Sequence, residues 1–236
     1  MFGIFNDNFP PVLDGVALTA QNYAYWLHAK GHEVRVITDY APKMQEVIKA
    51  APYPINFVPS VPIPFRYPYR YGLPYASPAF MHNFRKMQFE LVHAHCPFVT
   101  GYLAYAAAQK QQIPLVATFH SKYRQDFEHN VHSKRIVDAM VRMIIRFFNK
   151  ADEVWIPQAA VEPTLREYGY AGHVEVVENG NDFYTPSPQI DAMRAEMRGE
   201  LGMAPEDMML LFVGQHIWEK NIGFILDALA LIKDKP

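Results

Sequence analysis

Short apolar runs of strand length alternate along this chain with longer segments of helical period. Residues 2–5 (FGIF), Glu33–Thr38 (EVRVIT), Leu91–His95, Leu115–His120, 153–156 (EVWI) and 174–177 (VEVV) read as strands. Between the first two, Val16, Ala20, Tyr23 and Leu27 repeat at helical spacing, with Lys30 in the last turn and Gly31 as the stop. An Ala-rich helix spans Gly101–Gln112. The clearest helix is Ser133–Lys150, with Ile136, Val137, Met140, Val141, Ile144, Ile145 and Phe148 as its core-facing stripe. A further helix ends before Gly169, and Pro163 suits its first turn, where a missing N–H costs little. Such alternation predicts an α/β fold: a Rossmann-like, mostly parallel sheet with helices on both faces. Half of the 236 residues are hydrophobic, enough to cover such a sheet.

Two stretches depart from the pattern. Prolines crowd residues 51–78, and proline cannot donate to a ladder, so one strand near Ile55–Val58 and otherwise an extended surface excursion are predicted. Near residue 180 the register changes, with a turn signal at Asn179–Asp182 and a linker-like Thr185-Pro186-Ser187-Pro188. The predicted organisation is therefore a first domain over 1–180, a linker and connecting helix over 181–205 (helix Ile190–Leu201), and the start of a second βα unit over 206–236. That unit comprises a strand at Met208–Val213 and a helix at Asn221–Lys233. One strand and one helix cannot bury their own apolar surfaces. They are expected to dock on the first domain, to associate with another chain, or to belong to a second domain not completed here.

Several functions are disfavoured at this level. With 22 basic and 24 acidic side chains, the chain has no global attraction for nucleic acid. The single cysteine, Cys96, excludes an internal disulfide and a cysteine-based zinc site, and it suits a reducing compartment. No run approaches the roughly 18–20 apolar residues of a membrane span. The first fifteen residues read as a strand entering a loop, not as a signal peptide.

Ligands bind such sheets beyond the carboxyl ends of the strands, so the loops after Phe5, His95, His120 and Ile156 are where chemistry is expected. Gly15 lies between the first strand and helix. It reads either as a loop glycine that lets an anionic ligand reach the helix N-terminus, or as a turn glycine after Pro10-Pro11. His120 ends a strand at the ligand-binding edge and can donate a hydrogen bond to a ligand oxygen. His93 and His95 share one sheet face. A metal pair is conceivable at that spacing, but core or supporting histidines are the expectation. Cys96 reads as a small packed residue. Helix 133–150 sets Lys134, Arg135, Arg142, Arg146 and Lys150 against a single acid, Asp138, a face suited either to solvent or to an anionic membrane. The segment Phe65–Tyr71, with Arg66 and Arg70 among tyrosines, suits lipid headgroups or a fold back onto the surface.

Six phrases occur in a fixed order: Asp14-Gly15-Val16; Leu91-Val92-His93-Ala94-His95 with Pro97; Thr118-Phe119-His120-Ser121; Ala151-Asp152-Glu153-Val154; Glu178-Asn179-Gly180-Asn181-Asp182; and Val213–Asn221. Together they resemble the retaining, nucleotide-sugar-dependent glycosyltransferases of the family-four type, with two facing Rossmann-like domains (the GT-B architecture). Members that glycosylate diacylglycerol or similar lipids look most alike. The resemblance implies a nucleotide-sugar donor held between domains, a lipid or saccharide acceptor, retention at the anomeric carbon, and no cofactor or bound metal. It makes His120 the residue that orients the donor sugar, and it places Gly15, Gly214, Gln215 and Lys220 at the donor. Gln215 stands where the family has an arginine that, with the lysine, neutralises the diphosphate; glutamine offers hydrogen bonds without charge. The family's acidic pair falls beyond Pro236. The expected location is cytoplasmic, peripheral at the inner face of a membrane, and transfer by these 236 residues alone is not expected. A non-catalytic acceptor-domain fragment or membrane-associated module, and a nucleotide-dependent oxidoreductase lacking the usual glycine fingerprint, remain as alternatives.

Overall fold

A computed structural model describes residues 1–64, 67–120, 122–180, 187–214, 216 and 220–232. The chain divides into two compact units, Met1–Asn181 and Asp182–Pro236.

In the first unit, β1 (Phe2–Phe5), α1 (Gly15–Ala29), β2 (Val34–Asp39), α2 (Met44–Ala50) and β3 (Ile55–Val58) come first. A small hairpin, β4 (Ser60–Pro62) and β5 (Arg70–Gly72), and α3 (Pro78–Lys86) follow. The remainder is β6 (Leu91–Ala94), α4 (Val99–Gln111), β7 (Leu115–Thr118), α5 (Tyr123–Asn130), α6 (Lys134–Phe148), β8 (Glu153–Ile156), α7 (Glu162–Glu167) and β9 (Glu175–Val176). Among the described residues the main sheet has seven strands in the order β3-β2-β1-β6-β7-β8-β9, all paired in parallel. The chain builds outward from β1 to β3, then returns to the other side of β1 with β6. Neighbouring connections therefore leave in opposite directions at β1 and β6, which opens a crevice at their carboxyl ends.

Two-residue periodicity sorts the strand side chains into two layers. Phe5, Ile37, Val92, Ala94, Leu115, Ala117, Val154 and Ile156 join one core with α4 and α6. Ile4, Val34 and Val36 face the other way, onto Ala20 and Ala24 of α1. The α6 stripe buries Val137, Val141, Ile144, Ile145, Phe147 and Phe148, whereas Ile136 is 54% exposed. Helix α4 approaches its strand closely at Gly101, where a Cβ would overlap the Cys96 carbonyl. Asp14 caps the start of α1, accepting from Ala17 N–H (2.7 Å), and Gly31 takes φ +90° beyond its end, a region glycine enters without penalty.

The proline-rich segment is more ordered than composition predicts. Beyond β3 it forms the β4–β5 hairpin, and Ser77 caps α3 through Phe80 N–H (3.1 Å) with Pro78 in the first turn. Pro62 sits in the two-stranded ladder, which has two open edges and so tolerates a missing donor.

In the second unit, α8 (Ile190–Glu200) and α9 (Ile222–Ile232) match the predicted helices. The strand predicted at Met208–Val213 is not formed. Those residues carry no ladder among the described residues, and Met208 and Val213 are more than four-fifths exposed. An apolar run becomes a strand only when a neighbour supplies hydrogen bonds and a surface to cover. Among the described residues no helix is long and apolar enough to cross a membrane.

Candidate functional site

The carboxyl edge of the first unit's sheet gathers most of its buried polar side chains. On β6, β7 and β8, the positions between the core residues point to the α1 side of the sheet. His93 and His95, Thr118 and His120, and Trp155 therefore share that face, with Tyr23 of α1 packed on them. His93 Nε2 pairs with Thr118 Oγ1 at 2.7 Å. His95 Nδ1 pairs with His120 Nε2 at 3.1 Å, and the two rings stack at 5.3 Å. Burial pushes the His93 imidazole down to about 3 and His120 to about 4, and holds His95 well below the usual range. Neighbouring imidazoles add to burial at His93, through His120, and at His95, through His93 and His120. All three are neutral near pH 7. His120 is half-buried at the outer end of this row, while His93 and His95 lie inside it.

A second cluster fills the crevice between β1 and β6. Asp7 accepts from Thr100 N–H at 2.8 Å, its own N–H donates to Cys96 Sγ at 3.3 Å, and Cys96 Sγ lies 3.1 Å from Thr100 Oγ1. Burial raises the Asp7 carboxyl and lifts the Cys96 thiol well above its ordinary value, so Cys96 is a packed thiol and not a nucleophile. Asp39, at the end of β2, is 3% exposed, and neither carboxylate oxygen has a hydrogen-bond partner among the described residues. Burial, and then the neighbouring Asp7 charge, lift it to about 8, with Arg70 pulling the other way.

The remaining predicted site residues are dispersed. Gly15 opens α1, exposed, with nothing within 4 Å of where a Cβ would stand, so packing does not require glycine there. Arg70 is committed to its hairpin, donating to Ser60 Oγ (2.9 Å) and the Ser60 carbonyl (2.7 Å). The guanidinium straps two short strands that have few ladder bonds of their own, as a segment folded back onto the surface would. Arg66 and Gln215 lie outside the described residues. Arg142 and Arg146 are exposed on α6, whose single acid, Asp138, is taken by Arg124 of α5 at 2.8 Å. Gly214 and Lys220 are exposed in the second unit, Lys220 just ahead of α9. Among the described residues no group of three or more His, Cys, Asp or Glu side chains is arranged to hold a metal. A cavity of about 510 Å³, lined by Glu33, Arg35, Asn56 and Lys86 among others, opens at the amino ends of the strands, away from the histidines.

Sequence reasoning placed His120 at this edge and His93 beside His95. It missed Asp7, Asp39, Thr100, Thr118 and Trp155. The available signal was position: Asp7, Asp39, Thr118 and Trp155 lie at or just beyond a strand's carboxyl end or alternate with core residues, and Thr100 lies in the first turn of the helix that follows β6.

The parallel sheet, its switch between β1 and β6, and the polar carboxyl edge define the Rossmann-like domain of a GT-B fold. The fold is shared with Anabaena HepE, crystallised with UDP and glucose (TM-score 0.59, 17% identity, 85% of this chain and 50% of that one). It is also shared with a sucrose-phosphate synthase structure from Thermosynechococcus elongatus (TM-score 0.51, 18% identity, 85% and 96%). The chain belongs to glycosyltransferase family 4, whose model matches residues 13–183. Similar curated proteins are the alpha-monoglucosyldiacylglycerol synthases of Acholeplasma laidlawii (27% identical, 96% of this chain, 58% of that protein) and Streptococcus pneumoniae (26%, 97% and 52%). The chain spans just over half the length of these relatives.

Proposed function

We propose that this chain is the acceptor-side part of a glycosyltransferase that moves a hexose from a nucleotide-sugar to a lipid acceptor, with retention at the anomeric carbon. The observation that carries the reading is the family match over 13–183, which contains the whole histidine edge. The two alpha-monoglucosyldiacylglycerol synthase relatives favour a lipid over a soluble sugar.

In this reading His120 touches the donor sugar. A histidine whose imidazole is pushed down to about 4 is a weak base at neutral pH, so its contribution is a hydrogen bond to a hydroxyl and not proton abstraction. The rate gain comes from holding donor and acceptor in register and from stabilising charge on the departing diphosphate. Gly15 near the α1 N-terminus, and Gly214, Gln215 and Lys220 from the second unit, are the donor contacts in this proposal. Lys220 supplies the formal positive charge. The nucleotide-sugar is a substrate, and the reading uses no cofactor or metal. The exposed cations Arg142 and Arg146 on α6 seat the enzyme on an anionic membrane from the cytoplasmic side, where its acceptor lies.

The test is hexose transfer from a panel of labelled nucleotide-sugars to diacylglycerol in anionic vesicles, using a form with a complete second domain. A glycolipid that keeps the donor's anomeric configuration is expected. Absence of glycolipid with every donor, or an inverted product, refutes the reading. The 236-residue chain alone is expected to show no turnover.

A further inference from the structure

His95 is fully buried, and its ring is engaged on one side only. Its Nδ1 meets His120 Nε2 at 3.1 Å with the rings 17° from parallel. Its Nε2 has no hydrogen-bond partner among the described residues, and the aromatic neighbours are Tyr23 and His93, with ring centres 5.2 Å and 4.0 Å away. A neutral imidazole carries one N–H and one bare nitrogen. One hydrogen therefore bridges the pair, and two arrangements exist. If His120 donates from Nε2, the hydrogen of His95 must sit on Nε2, buried with only ring faces to accept it, and such contacts are weak. If His95 donates from Nδ1, its Nε2 is a bare lone pair. Orphaned buried N–H groups are rarer than under-satisfied acceptors, which favours the second arrangement.

We infer that His95 is a positioning residue: its Nδ1–H donates to His120 Nε2 and holds His120 in the tautomer that carries its hydrogen on Nδ1. This is the less common form of an imidazole in water. It leaves His120 as a hydrogen-bond donor toward a hydroxyl oxygen, never an acceptor, at the edge of the sheet. The significance for sugar binding rests on the function proposed above; the tautomer itself does not. Backbone placement supports the same geometry. β6 and β7 pair with His93 opposite Val116 and Ala94 opposite Ala117, so His120 stands two residues beyond the position facing His95, the same diagonal step on one sheet face that joins His93 to Thr118.

The test is nitrogen-15 NMR of the histidine rings in the 236-residue chain without ligand, with the His120 signals assigned by their loss in His120→Asn. A protonated, pyrrole-type Nδ1 and a bare, pyridine-type Nε2 are expected for His120. The opposite pattern in the wild-type chain overturns the inference. In His95→Leu, His120 is expected to switch to the Nε2–H form; an unchanged tautomer in a folded variant also overturns it. If His95→Leu does not fold, the wild-type measurement still decides. Because no sugar nucleotide is present, failure here leaves the proposed function standing. Failure of transfer leaves the tautomer standing.

Discussion

Replacing Asp39 by Asn should flatten the dependence of stability on pH. The carboxyl ends β2 with neither oxygen hydrogen-bonded among the described residues and 3% of the residue exposed. Gly72 of the hairpin lies so close that a Cβ there would stand 2.6 Å from Asp39 Oδ1. Asp7 faces it from the end of β1, where the Asp7 carbonyl accepts from Asp39 N–H at 3.3 Å. Among the described residues Arg70 offsets these effects, and its hydrogen bonds go to Ser60. The carboxyl is raised from 3.8 to about 8. Between those values the folded chain keeps a proton that the unfolded chain has released. Stability from this group is therefore complete below about pH 4, falls by about 1.4 kcal/mol per pH unit, and is gone above about pH 8. The integrated loss is on the order of 5 kcal/mol. Asparagine keeps the shape but cannot titrate. Its unpaired amide has its own cost, so the slope is the informative quantity, not the stability at one pH. Urea unfolding from pH 4 to 8, followed by fluorescence in a Trp218→Phe background, leaves Trp26 and Trp155 as reporters of the first unit. The wild-type curve should fall by about one proton's worth per pH unit more than the Asp39→Asn curve. Parallel curves would refute the reasoning.

In a form with a complete second domain, His120→Ala should lower turnover more than tenfold, at least about 1.4 kcal/mol in the barrier, without loss of the fold; steady-state kinetics with unchanged turnover would remove His120 from the site. Anionic vesicles should bind the protein in sedimentation assays more strongly than neutral ones, with affinity falling as salt rises. Arg142→Glu with Arg146→Glu should weaken that binding at least tenfold, and equal binding of both proteins would dismiss the α6 surface. Gly101→Ala should destabilise the first unit by about 1–3 kcal/mol, because its Cβ overlaps the Cys96 carbonyl; an unshifted urea midpoint would contradict that packing.

Local order was legible wherever a short-range pattern carried it. Strand–helix alternation specified the parallel sheet, because βα units of this length have few other ways to cover both sheet faces. The α6 stripe specified which side of that helix is buried, although Phe147 replaced Ile136 in the core. Ser77-Pro78 was a helix start that the surrounding prolines obscured. The run Met208–Val213 shows the converse: its composition is that of a strand, and without a neighbour it has no ladder among the described residues. The second cluster depended on distance in the chain. Asp7 and Thr100 are joined by a hydrogen bond across 93 positions, and no periodicity in sequence relates them. The same holds for the histidine row. Sequence alternation alone put His93 and His95 on one face, and strand-end position put His120 at the ligand edge. That His95 stands within hydrogen-bond reach of His120, and that all three rings stay neutral, was decided by the register of β6 against β7 and by burial under Tyr23. Pairing register and desolvation are properties of elements brought together from distant parts of the chain, so no local pattern encodes them.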